Sequence, residues 1–255
     1  MTDEPSSRAQ FNAHASKYAA SEVHRHGPSL PVLLAYAAPT AQDHALDVAT
    51  GTGNTAHALS PQVGEVVGLD LAEGMLAHAR QRAQDDGQTN ASFMVGSAED
   101  IPFPDASFTL VTSRHAPHHF LHLDRFLAEA FRVLEGGGRL IVADQTSPTP
   151  AVQLWMDEYQ ILRDPSHHTQ RTVEAWRELA TAAGFVWTPH TLVPYRLDFA
   201  WWTAQSGCSP ETVQRLRAHA DALSETERQA AGLEYGGGAL VAHVEQMMVV
   251  RLERR

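Results

Sequence analysis

A single cysteine, Cys208, stands in the 255 residues, so no intrachain disulfide can form and no thiolate metal cluster can be assembled. That scarcity predicts a reducing, cytoplasmic setting. Long apolar runs are missing too: the longest, near 32–38 and 247–250, fall far short of the roughly 18 residues a bilayer crossing requires, so no membrane span is expected. Residues 1–10 are acidic and polar and lack the apolar stretch of a signal peptide. Basic residues are in deficit, 19 Lys and Arg against 30 Asp and Glu, for a formal net charge of −11 with histidine neutral. Without a local basic patch, a chain of that sign repels a phosphate backbone, which excludes nucleic acid as the expected partner and leaves a small molecule. Glycine (17) and proline (14) are too few for a collagen-like or low-complexity chain, and 43% hydrophobic residues suffice for an ordinary core.

What is present is alternation. From residue 45 onward, short apolar runs alternate with amphipathic stretches, the pattern of a parallel sheet covered by helices. Strands are predicted at 45–49, 65–70, 92–95, 108–113 and 139–143, with helices at 73–84 and 124–134. The first helix sets Met75, Leu76 and Ala79 on one side. The second repeats the pattern with Phe126, Leu127, Ala130, Phe131 and Leu134, then meets Gly136, Gly137 and Gly138, which are expected to end it in a left-handed cap. After Asp144 follow helical stretches at 151–162 and 172–183, then a β-like run at 186–197. A helix opened by Ser209 and Pro210, a Ser224/Glu227 capping-box spacing and a closing strand at 240–252 complete the chain. The expected architecture is α/β, with a Rossmann-like seven-stranded, mostly parallel sheet and helices on both faces. Residues 1–40 are expected to form a helical segment or lid. Residues 41–255 form the main domain, with 146–235 as a helical elaboration.

The first strand ends Leu46-Asp47-Val48-Ala49 and runs into Thr50-Gly51-Thr52-Gly53-Asn54-Thr55-Ala56. Two glycines one residue apart let the backbone turn sharply and approach a ligand, while the helix that follows offers unpaired amides. The second strand ends at Asp70, where a carboxylate can accept hydrogen bonds from both hydroxyls of an adenosine ribose. By itself this pattern also fits an NAD-dependent oxidoreductase. Asp47 argues against that reading, because a carboxylate before the glycines opposes a pyrophosphate and favours a ligand carrying an ammonium group.

Four segments now stand in order: Leu46 to Gly53, Val67 to Leu76, Gly96 to Phe103, and Arg132-Val133-Leu134-Glu135-Gly136-Gly137-Gly138. Together, over roughly 40–145, they resemble the class I S-adenosylmethionine-dependent methyltransferases, in the bacterial ubiquinone/menaquinone methyltransferase-like (type 11) branch. Ala49 replaces the first glycine of the commonest family loop. The resemblance implies S-adenosylmethionine as cofactor, with Asp47 and Gly51 near its methionine moiety, Gly53 beneath it and Asp70 on the ribose. It also implies Leu71 against adenine and Ala98 and Glu99 at the adenine edge, with Tyr18, Ala49, Met75, Ser97 and Ser113 completing the cofactor set. The implied activity is methyl transfer to a small-molecule carbon, oxygen or nitrogen nucleophile. A noncatalytic S-adenosylmethionine-binding protein is the remaining alternative, and a homodimer is left open.

Histidine is abundant, with 15 residues. His115, His118, His119 and His122 follow the fourth strand beside Arg114, at the strand end where open α/β sheets bind ligands. His115 with His119, and His118 with His122, have the helical spacing of a zinc chelate, but no acidic third ligand is near, so no metal is expected. His118 and His119, which with Phe120 match a family stretch, are candidates for a general base or an acceptor-orienting group; the alternative is packing or capping. The stretch Arg163-Asp164-Pro165-Ser166-His167, like Tyr18, Ser21, His24 and Gly27, reads either as part of a lid or as a turn and a helix anchor. Trp155, Trp176, Tyr195, Phe199, Trp201 and Trp202 are expected in the core; if they lined a pocket, the acceptor would be apolar or aromatic.

Overall fold

The computed structural model describes residues 8–12, 15 and 25–255. Tyr18, Ser21 and His24 lie outside the described residues. Five strands run parallel in the order β3-β2-β1-β4-β5: β1 (His44–Val48), β2 (Glu65–Asp70), β3 (Ala91–Val95), β4 (Phe108–Arg114) and β5 (Leu134–Ser147). After β6 (Arg171–Thr172), β7 (Val186–Trp187), β8 (Thr191–Asp198) and β9 (Leu233–Gly236), the chain returns along the sheet as β10 (Ala239–Glu253). β10 runs antiparallel to β5, with Met248 opposite Asp144. The main path has the expected seven strands, ending β5-β10-β7, and β6, β8 and β9 join it to make a ten-stranded sheet.

Both faces of this sheet are covered, and the strand sequences show why. Ala45, Leu110 and Ile141 enter one apolar layer, while their neighbours Leu46, Val111, Leu140 and Val142 enter the other. Strands buried on two sides read as continuous apolar runs, which is how they were recognisable. The first layer is closed by α1 (Ser29–Ala37), α2 (Asn54–Leu59), α3 (Glu73–Asp85) and, further on, α5 (Pro150–Arg163), α7 (Phe199–Gln205) and α8 (Pro210–Asp221). The second is closed by α4 (Leu123–Val133) and α6 (Val173–Ala182). Ser209 caps α8 by accepting from the Thr212 amide, and Ser224 and Glu227 form the expected capping box on α9 (Glu225–Ala230). No helix among the described residues is long and apolar enough to cross a membrane.

Two local expectations change. The glycine run does not cap α4: the helix stops at Val133, Leu134 is already extended, and β5 begins there. Only Gly137 of the three takes positive φ (83°), and its amide donates to the Arg254 carbonyl at 2.8 Å while Gly138 accepts from the Arg254 amide. The run serves pairing with the end of the chain. The β-like run at 186–197 breaks into β7 and β8 because Pro189 has no amide for a ladder and Thr188 bonds to the Arg251 carbonyl. Helix α7 is started by Asp198, which accepts from the Trp201 amide.

Candidate active site

The carboxyl ends of β1, β2, β4 and β5 open onto one cavity of about 180 Å³. At its β1 end, Ala49, Gly51 and Gly53 all take left-handed φ, at 55°, 56° and 80°. A Cβ at Gly51 would meet nothing within 4 Å, so open cavity lies in front of this residue. Its amide donates to Asp70 Oδ2 at 2.8 Å, while Oδ1 of the same carboxylate accepts from Ala72 at 2.9 Å. Asp70 thereby ties the loop after β1 to the loop after β2, and each oxygen keeps a lone pair for the cavity it lines. Burial raises the Asp70 pKa against the pull of the Ala72 and Gly51 amides.

Gly53 is needed for a different reason. A Cβ there would come within 2.8 Å of His57 Nε2 and 3.0 Å of Ala79 Cβ, so glycine lets α2 pack on α3. Asp47 is almost fully buried and accepts from Thr50 Oγ1 at 2.6 Å and Thr112 Oγ1 at 2.7 Å. Burial pushes it up to about 6, with both threonines and the Arg114 charge pulling the other way. Leu71, Met75, Ala98 and Glu99 complete this end of the wall. Of the expected cofactor residues, Gly53, Ser97 and Ser113 do not line the cavity: Ser97 Oγ accepts from the Glu99 amide, and Ser113 is buried within β4. Tyr18 lies outside the described residues.

The other end is built from histidines. No helix spans residues 115–122: His115 has φ of 54°, Pro117–His119 makes one 3-10 turn, and α4 begins only at Leu123. The two helical chelating faces therefore do not form, and among the described residues no three His, Cys, Asp or Glu side chains are grouped to hold a metal ion. Instead each ring has its own partner. His118 Nδ1 donates to Asp144 Oδ1 at 2.7 Å, both groups being buried. Burial alone would lower the His118 pKa, but the Asp144 carboxylate, helped by Glu245 and Asp164, raises it above the ordinary imidazole value. His119 Nδ1 donates to the Ser166 carbonyl at 2.9 Å, and burial together with the His118 charge pushes it down to about 3. His167 Nε2 donates to Asp157 at 2.8 Å, and burial lowers its pKa as well.

The segment 163–167 is part of this wall. Asp164, Ser166 and His167 are each buried, and the His118 carbonyl accepts from the His168 and Thr169 amides at 2.9 and 3.0 Å. The Phe11 and His119 rings stand nearly perpendicular with their centroids 5.0 Å apart, and Asn12 Oδ1 accepts from the Gly74 amide, so the described part of the amino-terminal segment lies against the same cavity. Trp176, Tyr195, Phe199 and Trp202 are core, Trp155 and Trp201 pack against them, and none of the six lines the cavity. The condition for an apolar or aromatic acceptor is not met. Asp144 and Gln160 are site residues that sequence reading passed over. Asp144 carried a usable signal, since it closes the predicted fifth strand at the same sheet edge as the histidines; Gln160, inside a helix, carried none.

Open space before Gly51, spare carboxylate lone pairs on Asp70 and a buried acid at Asp47 suit a ribose and a cation, and they oppose a pyrophosphate. Comparison with known proteins agrees. A methyltransferase-domain family model matches residues 46–142. The uncharacterized methyltransferase YcgJ of Bacillus subtilis is 30% identical over 219 residues, 86% of this chain and 87% of YcgJ. The YcgJ crystal structure superposes with a TM-score of 0.87 at 27% identity, covering 90% of this chain and 99% of that one. A Bacillus halodurans protein described provisionally as a methyltransferase gives 0.86 at 29% identity, covering 89% and 99%. A demethylmenaquinone methyltransferase of Clavibacter sepedonicus is 32% identical over 172 residues, 60% of this chain and 69% of its own. With that loop, that acid and these relatives, the chain belongs to the S-adenosylmethionine-dependent methyltransferases.

Proposed function

We propose that the chain methylates a small-molecule nucleophile and that His118 takes the acceptor's proton. The observation that carries this reading is His118, which lines the same cavity as the Gly51–Asp70 loop and is held from behind by the buried Asp144 at 2.7 Å. S-adenosylmethionine, when bound, supplies an electrophilic methyl group on a sulfonium; Gly51, Asp70 and Asp47 would hold it. The work left to the other residues is alignment and proton handling.

Asp144 can only accept, so it fixes the hydrogen on His118 Nδ1 and leaves Nε2 as the basic atom; the imidazolium formed by proton uptake remains paired with the carboxylate. His119, kept neutral, has Nδ1 committed to Ser166 and offers Nε2 to orient a donor on the acceptor. Residues 8–12 supply part of a cover, in keeping with a lid role for 1–40, and exclude water from the developing bond.

The test is S-adenosylhomocysteine formation across an acceptor panel. His118→Ala and Asp144→Asn should lower kcat by about 10²- to 10⁴-fold while leaving S-adenosylhomocysteine affinity near wild type. Because Asp144 raises His118, activity should climb with pH as the ring deprotonates, and the limb should move to lower pH in Asp144→Asn. Unchanged turnover and an unchanged pH profile in both variants would remove the base assignment.

A further inference from the structure

We infer that the methyl acceptor is a small amine, held by Asp164, Gln160 and the bare ring nitrogens of His119 and His167. The inference rests on the methyltransferase reading of this cavity. Its basis is that each of these four groups has a partner that decides which atom remains. A carbonyl cannot donate, so the Ser166 oxygen fixes the hydrogen on His119 Nδ1 and leaves Nε2 bare. The Asp157 carboxylate likewise takes the hydrogen of His167 Nε2 and leaves Nδ1 bare. Glu245 Oε1 accepts from the Gln160 amide nitrogen at 2.6 Å, which fixes the orientation of that amide and leaves its oxygen. Asp164 spends Oδ1 on both the amide and the hydroxyl of Ser166, at 2.9 and 2.6 Å, and leaves Oδ2.

Four side chains lining one cavity thus each keep an acceptor atom. The charges agree with this count. Burial raises Asp164, while the Ser166 donors and the Arg163 charge pull the carboxyl down. Arg163 is itself engaged elsewhere: Nε donates to the Trp202 carbonyl at 3.2 Å, and the guanidinium lies 4.6 Å over the Trp202 ring. Arg114 bonds to Thr55 and Ser29 beside the loop after β1. Lone pairs backed by the Asp164 carboxylate favour a ligand with several N–H donors and a positive charge, and they repel a carboxylate or phosphate. An alcohol brings one donor to this wall; an ammonium brings three.

The reaction balances without a further reagent. The ammonium gives one proton to His118 Nε2, and the freed nitrogen lone pair forms the N–CH3 bond as the methyl–sulfur bond breaks, its electron pair staying on sulfur. The product is a methylated ammonium, and His118 returns the proton it took to water.

Calorimetry on the full chain saturated with S-adenosylhomocysteine tests this, using two matched series: benzylamine, benzyl alcohol and benzoate, and butylamine, butanol and butyrate. In each series the amine should bind about tenfold tighter than the alcohol, with the acid weakest. Asp164→Asn, which preserves an acceptor for Ser166, should cut amine affinity by about tenfold, and Gln160→Met should weaken it by about threefold. Both variants should bind S-adenosylhomocysteine as wild type does, which also reports that they are folded. Equal binding of alcohol or acid overturns the amine assignment, as does failure of both amines to bind a protein that holds S-adenosylhomocysteine. Failure to hold S-adenosylhomocysteine at all overturns the cofactor reading beneath it.

Discussion

Asp70 performs two tasks whose energies can be separated by one substitution. In Asp70→Asn, the side-chain oxygen can serve only one of the two amides now bonded to the carboxylate, Gly51 at 2.8 Å or Ala72 at 2.9 Å, and the new NH2 faces the other. An amide deprived of its acceptor costs about 1–3 kcal/mol. At roughly 2–4 °C per kcal/mol for a domain of this size, the melting temperature should fall by roughly 2–12 °C. The cofactor loses a charged acceptor for its ribose hydroxyls, worth about 1.5–3 kcal/mol. At 1.4 kcal/mol per decade, that weakens S-adenosylhomocysteine binding by roughly 10- to 140-fold. Calorimetric titration of the folded variant, beside a thermal melt, measures both quantities. Since burial raises the Asp70 pKa, wild-type affinity should begin to fall on acidification before an ordinary carboxylate would protonate, and the variant should lack that acid limb. A variant that melts early yet binds S-adenosylhomocysteine with wild-type affinity at every pH would refute the ribose assignment and leave Asp70 as a loop tie alone.

Gly53→Ala should destabilise by about 2–5 kcal/mol, from left-handed strain and from the 2.8 Å approach to His57, measured as a lowered urea midpoint. Wild-type stability with lost S-adenosylhomocysteine binding would instead place the cofactor over Gly53. Asp43 accepts from both terminal nitrogens of Arg139, at 2.9 and 2.8 Å, and from Thr109 and Thr40, so Asp43→Asn should cost about 1.5–3 kcal/mol by removing the carboxylate charge that faces the half-buried guanidinium. Despite burial, those donors hold the Asp43 carboxyl well below the carboxylate range. Its contribution is therefore present above the unfolded pKa of about 4 and lost as pH falls toward the folded value. Unfolding midpoints between roughly pH 2 and 6 should slope less in Asp43→Asn than in wild type, and parallel curves would contradict the linkage.

The parts of this protein legible in its sequence are those whose determinants are contiguous. Leu46, Val48, Val111, Leu140 and Val142 announce strands because a doubly covered sheet demands apolar residues at consecutive positions, and Gly51 and Asp70 announce a nucleoside site because each lies at a strand end. Ser209, Ser224 and Glu227 act within one helical turn, so their caps were legible as well. The glycine run after α4 was misread because the same residues suit a cap or a close strand pairing, and Arg254, at the far end of the chain, decides between them.

The acceptor side depends on partners distant in sequence: His118 on Asp144, 26 residues away, His119 on Ser166, 47 away, and Gln160 on Glu245, 85 away. Sequence by itself determined the sheet, the cofactor loop and the presence of histidines at the right strand end. Only the tertiary structure decided which ring is raised by a carboxylate, which is held neutral by burial, and which atom of each is left for a ligand. Tautomer and pKa are properties of the environment around a side chain, and that environment exists only once the chain has folded.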